Sequence, residues 1–386
     1  MAAGDLAQAG LLVTRKIYAR STADERDLDP GEVAQLVDRL HPARTRARIA
    51  EVIDETESTT TLRIVPVDAP FPPFRAGQYV NLLVSVDGVE TGRPYSISSP
   101  PSRPGHIDVT VRVTPGGFVS QYLCEQACVG GDLEVAGPAG TFYHEPLVDT
   151  DDLVFLAGGS GVTPFMSMIR EAADTKHGPR MHLVYGSRSS DDVIFFDELT
   201  DMACCEDFLK VDLVISEPAE GYGGRCGLLD TPMILSSIGG IEGKTFFLCG
   251  PPAMYPVCLG ALEELGVHGR RIKTELSGPP PDVTLMEGWP SSIKKGDEIS
   301  VMVEGVGKVA KRFRASCSEP LLNSMERNRI TVENMCRSGE CGACRTRLVA
   351  GEVFVPAEVA LRKADIAFGF VHPCMAYPAS DITIRL

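Results

Sequence analysis

The chain has 386 residues, of which 44% are hydrophobic and 23% charged, a globular balance that excludes disordered and fibrous proteins. At roughly 100–200 residues per domain, the length calls for two to three domains. Acidic side chains number 52 and Lys plus Arg 37, for a formal charge of −15; this argues against nucleic acid or an anionic membrane as the main partner, since both need a positive surface.

The start, Met1 to Asp5, lacks the basic-then-apolar order of a signal peptide. The longest uncharged stretch, Leu153 to Ile169, carries three glycines and a proline and is too short and too polar to span a bilayer. The 12 cysteines are too sparse for a disulfide scaffold, so a cytoplasmic protein with a metal centre is expected. Within residues 1–42, Val33, Leu36, Val37 and Leu40 form one helical stripe between Pro30 and Pro42, predicting an N-terminal helical extension packed on its neighbour.

From 43 to 147 the pattern changes to short strands over Arg48–Val52, Thr60–Pro66, Tyr79–Val86, Ile107–Val113 and Asp132–Ala136. Their even spacing predicts an antiparallel barrel or sandwich. Over 148–278, strands at Leu153–Ala157, His182–Gly186, Lys210–Ser216 and Lys244–Cys249 alternate with helices, the clearest at Pro164–Ala173 and Pro252–Leu265. That alternation predicts a parallel sheet covered on both faces. Three consecutive prolines at 279–281 open a linker over 279–296. A third domain, 297–386, holds strands at Ile299–Glu304 and Val309–Ala315, a short helix near Pro320–Glu326 and a cysteine-rich loop.

That loop reads Cys336-Arg-Ser-Gly-Glu-Cys341-Gly-Ala-Cys344, and Cys374 follows after 29 further residues. C-x4-C-x2-C with one distant cysteine is the plant-type [2Fe-2S] spacing, whereas four-thiolate zinc sites more often use two C-x2-C pairs. His372 precedes a ligand by two positions but has no second histidine to form a Rieske pair, so a structural or surface role is expected. Of the other eight cysteines, Cys124 and Cys128 stand four apart on an expected helix, and most are expected to be small buried hydrophobes.

Four further motifs occur in order. Gly92-Arg93-Pro94-Tyr95-Ser96 lies on an extended run, where Arg suits a pyrophosphate, Tyr an isoalloxazine face and Ser its N5. In ideal strand geometry Arg93 and Tyr95 share one side and Ser96 the other. Gly116-Gly117-Phe-Val119-Ser120 precedes a helix that Ser120 is expected to cap, creating a phosphate site. Gly158-Gly159-Ser-Gly161-Val-Thr163-Pro164 joins strand to helix, where α/β sheets bind nucleotides. Cys249-Gly250-Pro251-Pro ends another strand at the carboxyl edge of the sheet.

This series resembles the ferredoxin–NADP reductase superfamily, and the C-terminal cysteines narrow the resemblance to one-component reductases, most like the phenylacetyl-CoA epoxidase, ketosteroid hydroxylase and hybrid-cluster-protein reductases. The resemblance covers residues 43–386. It implies an antiparallel β-barrel flavin domain, an α/β nicotinamide domain and an α+β β-grasp ferredoxin domain. It assigns FAD to Arg93, Pro94, Tyr95, Ser96, Gly116, Gly117, Val119 and Ser120, and nicotinamide to Gly159, Gly161, Thr163, Pro164, Arg188, Cys249, Gly250 and Pro251. Ser96, Cys249 and Glu275 would be catalytic, and Cys336, Cys341, Cys344 and Cys374 would ligate the cluster. Leu276 replaces the aromatic that often follows the glutamate. Electrons would pass from NADH or NADPH through FAD and the cluster to a partner oxygenase or hydroxylase. A hybrid-cluster or corrinoid acceptor, or a subunit role in a larger complex, is the alternative. Arg188 would meet a 2′-phosphate, a ribose or pyrophosphate group, or pair with Asp191 or Asp192; Glu217 and Glu220 favour NADH.

Overall fold

Alternating apolar positions build the first sheet in the computed structural model, which describes residues 44–386 apart from 115–116, 276–277, 281, 306–309, 358 and 360. The expected N-terminal extension, Gly116 and Leu276 therefore lie outside the described residues. Strands β1 (Thr45–Thr56), β2 (Thr59–Pro66), β3 (Tyr79–Val86), β4 (Val89–Ser96), β5 (Ile107–Arg112) and β6 (Asp132–Ala139) pair antiparallel in the order β4-β3-β6-β1-β2-β5. A single bridge between Ile97, just past β4, and Val109 of β5 brings the two outer strands together at one end and closes the barrel there, leaving the rest of β4 as an edge. Leu62, Ile64, Leu82 and Val109 fill it, and Val119 and Leu123 of helix α1 (Phe118–Glu125) pack on the same core.

The second sheet is parallel throughout, with order β10-β9-β8-β7-β11-β12. Its strands are β7 (Asp152–Gly158), β8 (Arg180–Ser187), β9 (Leu209–Ile215), β10 (Arg225–Cys226), β11 (Thr245–Cys249) and β12 (Ile272–Glu275). The alternation of β7 sends Leu153 and Phe155 to one face, against α2 (Thr163–Thr175) and α3 (Phe196–Cys205). Val154 and Leu156 face α4 (Thr231–Ile238) and α5 (Met254–Glu264) on the other. Strand order reverses between β7 and β11, so their carboxyl ends flank a crevice.

The barrel is clamped to this sheet at its closing bridge. Arg170 of α2 donates to the Ser98 carbonyl at 2.9 Å, and Ser167 to that of Ser99 at 2.7 Å. Asp192 accepts from Ser58 at 3.2 Å and pairs with Arg112.

The third sheet runs β14-β13-β19-β15-β17, from β13 (Glu298–Glu304), β14 (Lys311–Ser316), β15 (Thr346–Ala350), β17 (Phe370–Val371) and β19 (Ile382–Arg385), with a separate β16 (Val353–Phe354) and β18 (Tyr377–Pro378) pair. Strands β13 and β19 are parallel and the other neighbours antiparallel. Helix α6 (Leu321–Arg327) packs Leu321 and Met325 onto Val301, Phe313 and Ile384, and a short α7 (Lys363–Ala367) follows. The segment before β13 is pinned by Trp289, which meets Phe354 edge-on at 5.2 Å and donates to the Ile293 carbonyl at 3.1 Å.

At the crevice, the turn after β7 comes so close to the end of β11 that a Cβ on Gly161 would stand 2.2 Å from the Cys249 carbonyl oxygen. Both partners are backbone, so neither can yield cheaply. Gly161→Ala is expected to lower stability by about 1–3 kcal/mol in urea unfolding. Gly260→Ala, in α5 with open space around it, should be neutral or stabilising by up to about 1 kcal/mol.

Candidate active site

A cleft of about 1370 Å³ receives walls from all three modules, the third through helix α6 and the cysteine loop. Strand β4 contributes Arg93, Pro94, Tyr95 and Ser96. It is an edge strand, which is why a proline without an N–H fits here. Burial lowers the Arg93 guanidinium to about 10, with neighbouring Arg337 acting in the same direction and Glu326 opposing. Burial also pushes the Tyr95 phenol up.

Gly117, Val119 and Ser120 reach the cleft from the start of α1. The expected cap is corrected: Gly117, with extended backbone, occupies the N-cap position, and Ser120 is the third residue of the helix. Its Oγ instead accepts from the Thr114 N–H at 3.1 Å. Capping requires the non-helical residue before the first turn, and the helix begins two residues ahead of Ser120.

Gly159, Gly161 and Thr163 line the crevice after β7. Gly159 has a φ of +52°, a backbone region that glycine enters without strain. Pro164 lies buried in the first turn of α2, away from the cleft wall. Arg188 follows β8 and donates to Glu217 at 2.9 Å, so its ion partner is neither Asp191 nor Asp192; both members of this pair line the cleft. Cys249, Gly250 and Pro251 line it from the end of β11.

Parallel pairing puts Ala157, Cys249 and Glu275 side by side across β7, β11 and β12. Burial, then Glu275, holds the Cys249 thiol well above its ordinary value. Glu275 Oε2 is enclosed without a partner. Burial, aided by Glu340 of the cysteine loop, pushes this carboxyl up to about 8.

The four motif cysteines come together in the third module, three of them buried. The sulfurs of Cys344 and Cys374 lie 3.4 Å apart, and that of Cys336 is within hydrogen-bonding reach of those of Cys341 and Cys374. Backbone N–H groups of Ser338 and Cys341 point at Cys336 Sγ, and that of Ala343 at Cys341 Sγ, each at 3.4 Å. Convergent thiols and amides aimed at sulfur fit an iron–sulfur cluster. Cys336 and Cys374 also line the cleft. His372 is buried: Nδ1 donates to the Gly339 carbonyl at 2.6 Å and Nε2 stands 3.1 Å from Asp365. Its role is therefore structural, holding the loop from behind.

Among the remaining cysteines, Cys249, Cys258 and Cys317 are buried and Cys124 is half-buried, whereas Cys128, Cys204, Cys205 and Cys226 are exposed. The expectation of mostly buried thiols is corrected accordingly. Helix α1 ends at Glu125, before Cys128. In α3 only Leu199 is buried, leaving Cys204 and Cys205 on the solvent side. Tyr79, Glu326, Arg337 and Glu340 line the cleft without having been singled out in the sequence. Only Arg337 and Glu340 carried a signal, as charged residues inside the cysteine loop.

Glu275 makes stability depend on pH. Between its ordinary value of 4.5 and its folded value of about 8, the unfolded chain releases a proton that the folded chain keeps. Stability therefore falls as pH rises through that window and levels off above it, by about 1.4 kcal/mol per unit at most. Glu275→Gln, lacking the titration, should unfold at nearly the wild-type temperature at pH 5 and at a higher one at pH 8. Equal midpoints at both values would remove Glu275 as a buried carboxyl.

Three family models match in chain order: an oxidoreductase FAD-binding domain over residues 50–144, an oxidoreductase NAD-binding domain over 155–259 and a 2Fe-2S iron-sulfur cluster binding domain over 306–379. NADH oxidoreductase HCR of Escherichia coli is 31% identical, the match covering 88% of this chain and 97% of that one. The ferredoxin reductase component of 3-ketosteroid-9-alpha-monooxygenase from Rhodococcus rhodochrous is 32% identical, over 86% and 94%. In fold, the chain is similar to phthalate dioxygenase reductase, with a TM-score of 0.64 and 22% identity over 89% and 98% of the two chains. With flavin, nicotinamide and iron–sulfur modules joined in that order around one cleft, the chain belongs to the ferredoxin reductase family of NAD(P)H-dependent oxidoreductases.

Proposed function

We propose that the protein is the reductase component of an oxygenase system, taking electrons from NADH and delivering them singly to a partner oxygenase or hydroxylase. The observation that carries this reading is the single cleft, whose wall joins the R-x-Y-S strand, the nicotinamide-side strand ends and two of the cluster cysteines. The name of the Rhodococcus relative, a monooxygenase component, supports the class of partner. When bound, FAD exchanges electrons in pairs with a nicotinamide and singly with an iron–sulfur cluster.

In this reading Arg93, Pro94, Tyr95 and Ser96 hold the flavin, with Gly116, Gly117, Val119 and Ser120 at its phosphates. Arg93 supplies positive charge, and Tyr95 a flat face whose phenol burial keeps protonated. Gly159, Gly161 and Thr163 leave room for the nicotinamide beside Cys249, Gly250 and Pro251, with Pro164 fixing the helix start behind them. Glu275, whose carboxyl holds its proton near neutral pH, acts in this reading with Ser96 and Cys249 to keep water out and a proton at hand. Cys336, Cys341, Cys344 and Cys374 hold the cluster. The chain divides at 43–147, 148–278 and 297–386, with 279–296 as linker and 1–42 as an extension. Among the described residues no helix is long and apolar enough to cross a membrane, and we place the protein in the cytoplasm.

Anoxic addition of NADH to the holoprotein should bleach the flavin and produce the electron paramagnetic signal of a reduced [2Fe-2S] centre. Bleaching with a silent cluster would overturn the relay. The Arg188–Glu217 pair sets nucleotide preference, because the Glu217 carboxylate opposes a 2′-phosphate. NADH should be the better substrate by kcat/KM, and Glu217→Gln should improve NADPH roughly five- to tenfold relative to NADH.

A further inference from the structure

The ferredoxin module meets the flavin barrel along its open edge. Helix α6 lies against β4, and Asn81 of β3 donates to the Asn334 carbonyl, just ahead of the cluster loop, at 3.2 Å. The centre of this contact is Arg337, the residue after the first cluster cysteine, whose side chain is 4% exposed. It donates to Asn323 Oδ1 at 3.0 Å, to Thr91 Oγ1 at 3.3 Å and to Glu326 Oε1.

Thr91 is the common partner. Its hydroxyl donates to Glu326 Oε2 at 2.9 Å and accepts from Arg93 at 2.7 Å as well as from Arg337. One O–H and two lone pairs are all a hydroxyl has, so nothing further can be satisfied there. The Arg337 Nε–H is buried with no acceptor, on a residue that lines the cleft. Two guanidiniums also share Glu326 as their carboxylate partner. A buried unpaired donor on a cationic side chain calls for an anionic oxygen.

We propose that Arg337, carried by the cluster loop, is a second arginine ligand of the flavin nucleotide's diphosphate, completing from the ferredoxin module a site that Arg93 begins on the barrel. This rests on the reading that the cleft holds FAD. It adds that flavin binding and docking of the cluster module strengthen one another, since each supplies the other's missing partner. Arg337 also has a φ of +51°, a conformation that a side-chain-bearing residue adopts at a cost, and the bonds at its tip hold it there.

The test removes flavin from the full chain with its cluster retained, then titrates FAD and riboflavin separately, following flavin fluorescence. For Arg337→Gln, FAD should bind about tenfold or more weakly than to wild type, while riboflavin, which has no phosphate, should bind within about twofold. Arg337→Gly relaxes the backbone but lacks the donor, and should lose FAD affinity to the same degree. Should Arg337→Gln fail to retain its cluster, Thr91→Val, which leaves the loop sequence intact, should weaken FAD several-fold and riboflavin little. Unchanged FAD affinity in the variants, recovery in Arg337→Gly, or equal loss of FAD and riboflavin would overturn the proposal. Failure of the wild type to bind FAD would instead overturn the reading of the cleft.

Discussion

A strand at the border of a sheet has one flank without backbone partners, and β4 uses both of its sides. Its inner flank pairs with β3, while its outer side receives α6 and the cysteine loop through the Thr91 hydroxyl. The same strand carries Arg93 and Tyr95, so the element that shapes the flavin side of the cleft also seats the ferredoxin module. Burying two guanidiniums and a carboxylate is tolerable only because each finds hydrogen-bond partners. The position of the cysteines relative to the barrel follows from that small set of bonds.

The opposite wall has a different origin. In a parallel sheet the strand ends fall in register, and the pairing of β7, β11 and β12 sets Ala157, Cys249 and Glu275 in a row. The reversal of strand order leaves no crossover above that row. Close approach of the turn after β7 then shuts the back of the crevice, with Gly161 against the Cys249 carbonyl. Glu275 is thereby left in a setting that disfavours its charge.

Much of this was legible in the amino-acid order because it is local. Strand β3 is observed over the residues expected, and the cysteine spacing alone implied that four thiols would meet. The helix is capped at Gly117 rather than Ser120 because a helix start is set within a turn, and a shift of a few positions turns a cap into an interior residue. Exposure of Cys204 and Cys205 was hidden because a ten-residue helix offers little periodicity to read. Arg337 and Thr91 stand 246 positions apart, and nothing in either neighbourhood announces the other. Only the packing of two modules makes them neighbours.

The clamp between barrel and parallel sheet has a mechanical meaning. The carbonyls of Ser98 and Ser99 are gripped by Arg170 and Ser167, and Asp192 holds Ser58 and Arg112. None of these bonds passes through the short connection ahead of β7, where Leu147 and Val148 are 93% and 74% exposed. A protease cutting there would leave two polypeptides still fastened side by side. Cleavage visible on a denaturing gel would then go unnoticed in the intact particle, and the covalent thread between the modules would be dispensable once folding is complete.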